Sequence, residues 1–450
     1  MSGSPDGIYE PGLVDPGIPV SNSTKSFWLS QPAPISRTQS SWIDNADVVI
    51  IGSGMSGMSL ARTLYQKTTN LKVVLIDARD ICSGATGRNG GHIKTMSYNY
   101  WPDRKARYGV REAIRLTNFE HSHLKHMTTA IQESELDCEL SLIEGIDVYY
   151  DEFNFADAIA AISDMQRYAP ELASQYTVYT DKAKIRQLNC SDRSIGAIGT
   201  PAASMWPYKM VMGLLSKLIT ENGLCVQSNT KVVSITDRKE DEFAVVHTDR
   251  GDIRARHVVH ATNGWLGHLL PELRPYISPV RGNVIHQTVH SPRKNLENSF
   301  WYRYSNKDWD YLIQRPSGGI VLGRASTGRR ATGDDSGTDV CPQIHLRGVM
   351  AEMYSNGHST SEVSHAWSGI LGYTQDGSAF AGRLPFSSRE HQWVCGGYQG
   401  IGMIKAFRMA EMVARMIVGE DVSQECPTSF LVTEERMRKL KQSLSAKASL

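Results

Sequence analysis

The chain has 450 residues, enough for roughly two or three domain-sized cores, with 40% hydrophobic and 21% charged residues. A net charge of +1 argues against a nucleic-acid partner, which calls for a clear basic excess, and no stretch approaches the ~20 consecutive apolar residues of a membrane span. Seven scattered cysteines, an odd number without any Cys-x-x-Cys, fit free thiols in a reducing compartment better than a disulfide framework or a zinc site. The N-terminus lacks a signal-peptide pattern and Ala448-Ser449-Leu450 lacks the basic residue of a peroxisomal address, so the cytoplasm is the expected location.

Residues 1–45 carry Pro and Gly at short intervals without a sustained period, which predicts an extended arm pinned to the body by Trp28 and Trp42. The pattern changes at Asp47. Val48-Val49-Ile50-Ile51 reads as a parallel strand buried on both faces, and Met58, Ala61, Leu64 and Tyr65 recur at helical spacing. Val73-Val74-Leu75-Ile76 is a second buried strand, completing a β-α-β unit. Residues 103–136 read as helical, 138–152 as a hairpin turning near Gly145, and Phe153–Tyr168 as another helix. Strands are expected between Leu224 and Val259 and in the aromatic stretch 300–325, with a helix over Pro342–Tyr354. The last unit is the strand Trp393-Val394-Cys395, glycines, and a helix presenting Phe407, Ala410, Ala414 and Ile417 before Gly419. Arg436, Arg438, Lys439 and Lys441, set among Glu434 and Glu435, suggest a solvated terminal helix.

Gly52-Ser53-Gly54-Met55-Ser56-Gly57 is a G-x-G-x-x-G placed between a buried strand and an amphipathic helix, and Asp77 ends the next strand. Such glycines serve a tight turn, a close approach of backbone to pyrophosphate, and helix–strand packing; the helix N-terminus faces the phosphates. Asp77 can accept from ribose hydroxyls. Instead of further β-α units, the chain then enters Cys82-Ser83-Gly84-Ala85-Thr86-Gly87-Arg88-Asn89-Gly90-Gly91-His92, a loop rich in backbone N–H groups and poor in bulk. His121, His123 and His126 do not form a metal site, because 121 and 123 do not share a helix face and a fourth ligand is missing; a solvated face is expected.

These stretches, together with Val258–Trp265 and Gly369–Met403, resemble the D-amino-acid oxidase and glycine oxidase superfamily of FAD enzymes, most closely its γ-glutamylputrescine oxidase-like branch. The resemblance implies an α/β fold: a Rossmann-type FAD domain from 46–135, 200–268 and 364–425, a mostly antiparallel α+β substrate domain from 136–199 and 269–363, and a helical tail from 426–450. It also implies FAD contacts at Gly52, Ser53, Gly54, Met55, Ser56, Gly57, Asp77, Ala78, Arg79, Thr86, Arg88, Asn89, Gly90 and Gly91. Val232 would meet the adenine through its backbone, while Thr374, Asp376, Gly397, Gly400, Gly402 and Met403 would close over the flavin. His92, Trp301, Tyr311, Arg315 and Tyr398 are substrate-pocket candidates; no catalytic base is identified.

Departures from the family narrow the chemistry. Leu371 stands where sarcosine oxidase-like members carry a flavin-linked cysteine, so the FAD is expected to be non-covalent. Val321 occupies the place of their oxygen-activating lysine, and Gly372 and Gly400 fall where amino-acid oxidases place a carboxylate-binding arginine. The expected substrate is a small amine, secondary or part of a larger molecule, in a pocket with apolar walls and distinct from a simple α-amino acid. Arg281 or Arg315 would overturn that expectation by reaching the flavin. The implied reaction is hydride transfer from the amine's α-carbon to flavin N5, giving an imine, with reoxidation by oxygen. A dehydrogenase using another acceptor, or a non-catalytic flavin-binding scaffold, are the alternatives.

Overall fold

A computed structural model describes residues 15–68, 70–289, 296–305, 308–324, 331–353 and 361–448. Residues 1–14 of the arm, Tyr354 at the end of one expected helix, and Ser449 and Leu450 lie outside the described residues.

Two sheets organise the chain. The first is built on Asn45–Ile51, parallel to Val73–Ile76 on one side and Asp252–His260 on the other. Cys225–Gln227 and Gln392–Gly396 extend this parallel core, with Phe380–Arg383 at one edge. Val48, Val49 and Ile50 have no exposed surface, as expected of a strand covered on both faces. One face carries the helices Met55–Lys67 and Ala406–Ile417, packed against each other; Ser59 Oγ donates to the Phe407 carbonyl between them.

The second sheet is antiparallel except where Asn298–Ser305 runs parallel to Ser141–Tyr149. Its order is Ser361–Thr374, Ile277–Val289, Ile320–Arg324, Asp308–Gln314, Asn298–Ser305, Ser141–Tyr149, Gly196–Ser204 and His92–Lys94. Three segments placed by sequence in the FAD unit, His92–Lys94, residues 200–204 and most of Ser361–Thr374, therefore pair in the other sheet. The chain crosses between the sheets straight after the glycine-rich loop, and this brings the loop to their junction.

Several local expectations change for identifiable reasons. Gly145 is no turn but the middle of one strand, Ser141–Tyr149. A Cβ there would lie 2.5 Å from Lys94 Cδ, so the glycine makes room for a crossing lysine. The helical stretch divides into Ser97–Tyr108 and Val110–Glu133 at Gly109, whose φ of +81° ends the first helix. The terminal helix Glu434–Ala448 is not simply solvated: buried Arg436 donates to Asp376 and to the carbonyls of Ser378, Ala379 and Phe430. Nor is the histidine face solvated, since His123 is buried with Nδ1 at the Phe119 carbonyl and His121 meets the Tyr176 hydroxyl. No group of three metal-binding side chains occurs among the described residues, and none of their helices is long and apolar enough to cross a membrane.

Candidate active site

One cavity runs from the G-x-G-x-x-G turn to the inner wall of the second sheet. Ile51–Ser56, Asp77–Arg79 and Thr86 line one part; His92, Lys94, Trp301, Trp309 and Tyr311 line another. Leu371, Tyr373 and Gln399–Ile404 lie along it as well.

The nucleotide turn meets each physical requirement. Gly52 has φ +108° and a Cβ there would sit 2.6 Å from the Ala261 carbonyl, so only glycine fits. At Gly57 a Cβ would fall 1.9 Å from the Gly52 carbonyl, which is the close helix–strand approach. Gly54 caps the helix without a side-chain hydrogen bond, while Thr86 Oγ1 accepts from the Met55 N–H at 2.9 Å. Asp77 Oδ2 accepts from the Ser53 N–H at 3.0 Å and from its hydroxyl; Oδ1 accepts from the Arg79 N–H at 3.0 Å. Burial raises the Asp77 carboxyl, and Ser53 and Arg79 pull it back only in part. Arg79 and Arg88 share one buried carboxylate, Asp335, and both arginines border the cavity, with Asp77 the second acid beside the turn. Thr262 Oγ1 and Trp265 Nε1 are buried in the cavity wall without a partner. A glycine cradle and orphaned polar atoms, flanked by two arginines, together fit FAD.

The arm closes part of this cavity. Gly17, Ile18 and Pro19 line it, and Asp15 pairs with His268 at 2.8 Å and Arg274 at 2.9 Å. Trp28 is fully buried, its Nε1 donating to the Asn89 carbonyl at 2.6 Å, which holds the glycine-rich loop in place. Trp42 is half-buried, packed against the core of the first sheet with Arg250 over its ring.

Other expected residues divide into cavity-lining and supporting groups. Ala78, Gly90, Val232, Gly400, Gly402 and Met403 line the cavity. Arg88 and Asn89 do so too, but their side chains are spent on the protein: Arg88 on Asp335 and the Ser83 and Ser368 carbonyls, Asn89 on the Gly91 N–H. Gly57, Gly91, Thr374, Asp376 and Gly397 lie behind the wall. Thr374 donates to the Ser378 carbonyl at 2.7 Å, and Asp376 anchors Arg436. Gly400 takes φ +73°, whereas Gly402 has no positive φ and open contact distances, so the strained turn position is 400.

Among the pocket candidates, Tyr311 is set between two glycines: a Cβ at Gly90 or at Gly323 would fall 2.2 Å from its ring. His92 packs edge-on to Trp301 and Tyr311 with ring centroids 6.1 Å apart, and burial, then Lys94, lowers it to about 3, so its imidazole is neutral. Arg315 is excluded: it pairs with Glu139 at 2.8 Å and stacks on Phe27 and Trp206, outside the cavity. Arg281 is likewise occupied by Asp339 and the Asp334 carbonyl. Tyr398 lines the cavity but turns its hydroxyl to Ser56 Oγ and to Cys395 Sγ at 3.2 Å. Trp309, part of the aromatic stretch, lines the cavity beside Trp301 and Tyr311; Lys94 and Arg324 went unnoticed in the sequence, although the period-2 alternation of His92-Ile93-Lys94 places 92 and 94 on one face.

Comparison with known proteins agrees with this geometry. The family model for FAD-dependent oxidoreductases (DAO) matches residues 47–416. The chain is 28% identical over 393 residues to a probable oxidoreductase, OrdL, of Rhizobium meliloti (strain 1021), covering 83% of each. It is 24% identical to gamma-glutamylputrescine oxidoreductase of Escherichia coli (strain K12), covering 83% of this chain and 84% of that one. Among solved structures, glycine oxidase from Geobacillus kaustophilus superposes with a TM-score of 0.71 at 18% identity, covering 87% of this chain and 99% of the other. With the cradle, the Rossmann sheet and the second sheet in place, the chain belongs to the DAO family of FAD-dependent oxidoreductases.

Proposed function

We propose that this flavoenzyme oxidises a C–N bond of a small amine. The observation that carries the proposal is the single cavity joining the Gly52–Ser56 turn to the aromatic wall of His92, Trp301, Trp309 and Tyr311, a nucleotide cradle continuous with a pocket for a small molecule. The names of gamma-glutamylputrescine oxidoreductase and glycine oxidase, to which the chain is similar, support an amine-type substrate. FAD, when bound, supplies the hydride acceptor for such an oxidation. The protein's share is to orient the amine against the aromatic wall, exclude water and keep it neutral. A neutral His92 adds hydrogen-bonding capacity without charge.

The work divides between a cofactor unit on the first sheet and a substrate unit on the second. We place the enzyme in the reducing cytoplasm, on the support of seven free cysteines, six of them buried. Steady-state formation of imine-derived aldehyde from a panel of amines tests the reading, and release of peroxide identifies oxygen as the acceptor. Turnover with an artificial acceptor alone would favour the dehydrogenase reading, which buried Val321 supports because it offers no cation to the flavin.

A further inference from the structure

Residues 15–24 of the arm precede the family match, which begins at residue 47, and belong to neither sheet. They form no helix or strand, yet they are fastened at both ends. At one end Asp15 Oδ1 accepts from the Gly17 N–H and meets His268 Nδ1, each at 2.8 Å, while Oδ2 accepts from Arg274 Nη2 at 2.9 Å. At the other, the Thr24 N–H donates to the Asp335 carbonyl at 2.8 Å, and Arg88 donates to the hydroxyls of Ser23 and Thr24. Just beyond lies Trp28, fully buried, which gives the arm a fixed root.

Between the two fastenings, Gly17, Ile18 and Pro19 line the same cavity as Gly52–Ser56 and Asp77–Arg79. A second observation places a ligand there. Thr262 Oγ1 and Trp265 Nε1 are buried in that cavity wall without a partner, and such atoms cost free energy unless a ligand meets them. Gly333 fixes how close the arm comes to them: a Cβ on it would lie 2.3 Å from the Pro16 carbonyl and 3.2 Å from Trp265 Nε1. The arm and the orphaned indole are therefore neighbours, and a ligand that satisfies the indole lies beside the arm.

The Asp15 fastening is weak by construction. Its carboxylate, His268 and Arg274 are each about a quarter to a third exposed, so solvent screens both pairs. A segment with few backbone hydrogen bonds, held by such pairs, opens locally without unfolding the sheets beneath it. We infer that residues 15–24 are a strap over the cofactor, rooted at Trp28 and latched by Asp15 on His268 and Arg274. FAD enters and leaves when the latch is open, and bound FAD holds the strap shut. The inference concerns the cofactor alone and stands whichever substrate is oxidised.

The test follows FAD itself. Capture is read from the quenching of flavin fluorescence on mixing FAD with apoprotein, and release from its recovery on diluting FAD-loaded protein. Asp15→Ala removes both pairs and should speed capture and release together, by about threefold to thirtyfold. The dissociation constant should then move less than either rate. Removing residues 1–22, which keeps Ser23, Thr24 and Trp28, should speed both steps at least as much. The melting temperature of the apoprotein should stay at the parent's value, because both sheets are left intact.

Rates equal to the parent's in Asp15→Ala would overturn the inference. Faster release with unchanged capture would make the segment a fixed wall, and slower capture with a lower apoprotein melting temperature would make it a structural brace; either result overturns it as well. Should a variant fail to fold, trypsin on the parent protein decides. Lys25 is exposed at the end of the strap, and the chain should be cut there faster in the apoprotein than in the FAD-loaded protein. Equal cutting of the two would contradict a strap that the cofactor holds shut.

Discussion

Asp77→Asn probes the nucleotide cradle with almost no change of shape. In the parent, Oδ2 faces the Ser53 N–H and Oδ1 faces the Arg79 N–H, each at 3.0 Å, and the Ser53 hydroxyl donates to Oδ2 as well. An asparagine amide has one acceptor and one donor, so whichever way it flips, its NH₂ must confront one of these two backbone N–H groups. One hydrogen bond is lost and one donor is left unsatisfied, a cost of about 1–3 kcal/mol. Because Ser53 and Arg79 border the cavity, that cost falls on the geometry that receives the pyrophosphate. We expect FAD affinity to drop between about fivefold and 150-fold, read from the recovery of flavin fluorescence on dilution, with a lower melting temperature of the apoprotein. Asp77→Ala should be worse, as it removes every acceptor. If Asp77→Asn binds FAD and melts like the parent, the carboxylate does not hold this loop.

The remaining expectations are narrower. Gly400→Ala should impair FAD binding and turnover far more than Gly402→Ala, because a Cβ at 400 would meet the Tyr373 hydroxyl at 2.4 Å and a positive φ, whereas at 402 its nearest neighbour is 3.5 Å away; equal effects would refute the placement of the strained turn. Acid precipitation should leave the flavin in the supernatant, since Leu371 cannot form a thioether; yellow retained in the pellet would show another attachment, with His92 the first residue to change. Burial pushes the Glu120 carboxyl up, but Arg104, Lys405 and Ser97 more than offset it and hold it at about 2, below the ordinary 4.5. A carboxyl depressed by folding stabilises above its unfolded value, and this contribution, about 3 kcal/mol at most, is lost as pH falls from about 4.5 through about 2. Denaturant titrations across that window should show a shallower loss for Glu120→Gln than for the parent.

How much of this was legible in the sequence depends on the range of the interactions involved. The first β-α-β unit was readable because its signals are local: a β-branched run, glycines at fixed offsets, and Asp77 at the end of the next strand. The final strand, turn and helix were readable for the same reason. Gly145 was misread because a glycine required by a side chain crossing from another strand, here Lys94, has the same local signature as a turn glycine. The buried pairs that Asp147 makes with Lys94 and Arg303 could not be found, since the three residues come from strands separated by 53 and 156 positions along the chain. Arg315, expected in the pocket, and Arg436, expected on a solvated helix, could be assigned only once Glu139 and Asp376 were placed against them.

The central claim is that amine oxidation takes place in a cavity continuous with the FAD cradle. Its most direct test is an anaerobic titration of the purified, FAD-loaded protein with primary and secondary amines, including carboxylated and uncharged members, following the flavin's visible absorbance. The account predicts that at least one amine bleaches the flavin fully, and that admitting oxygen or an artificial acceptor restores the colour as aldehyde or ketone accumulates. A protein that takes up FAD yet is bleached by none of these amines would contradict it.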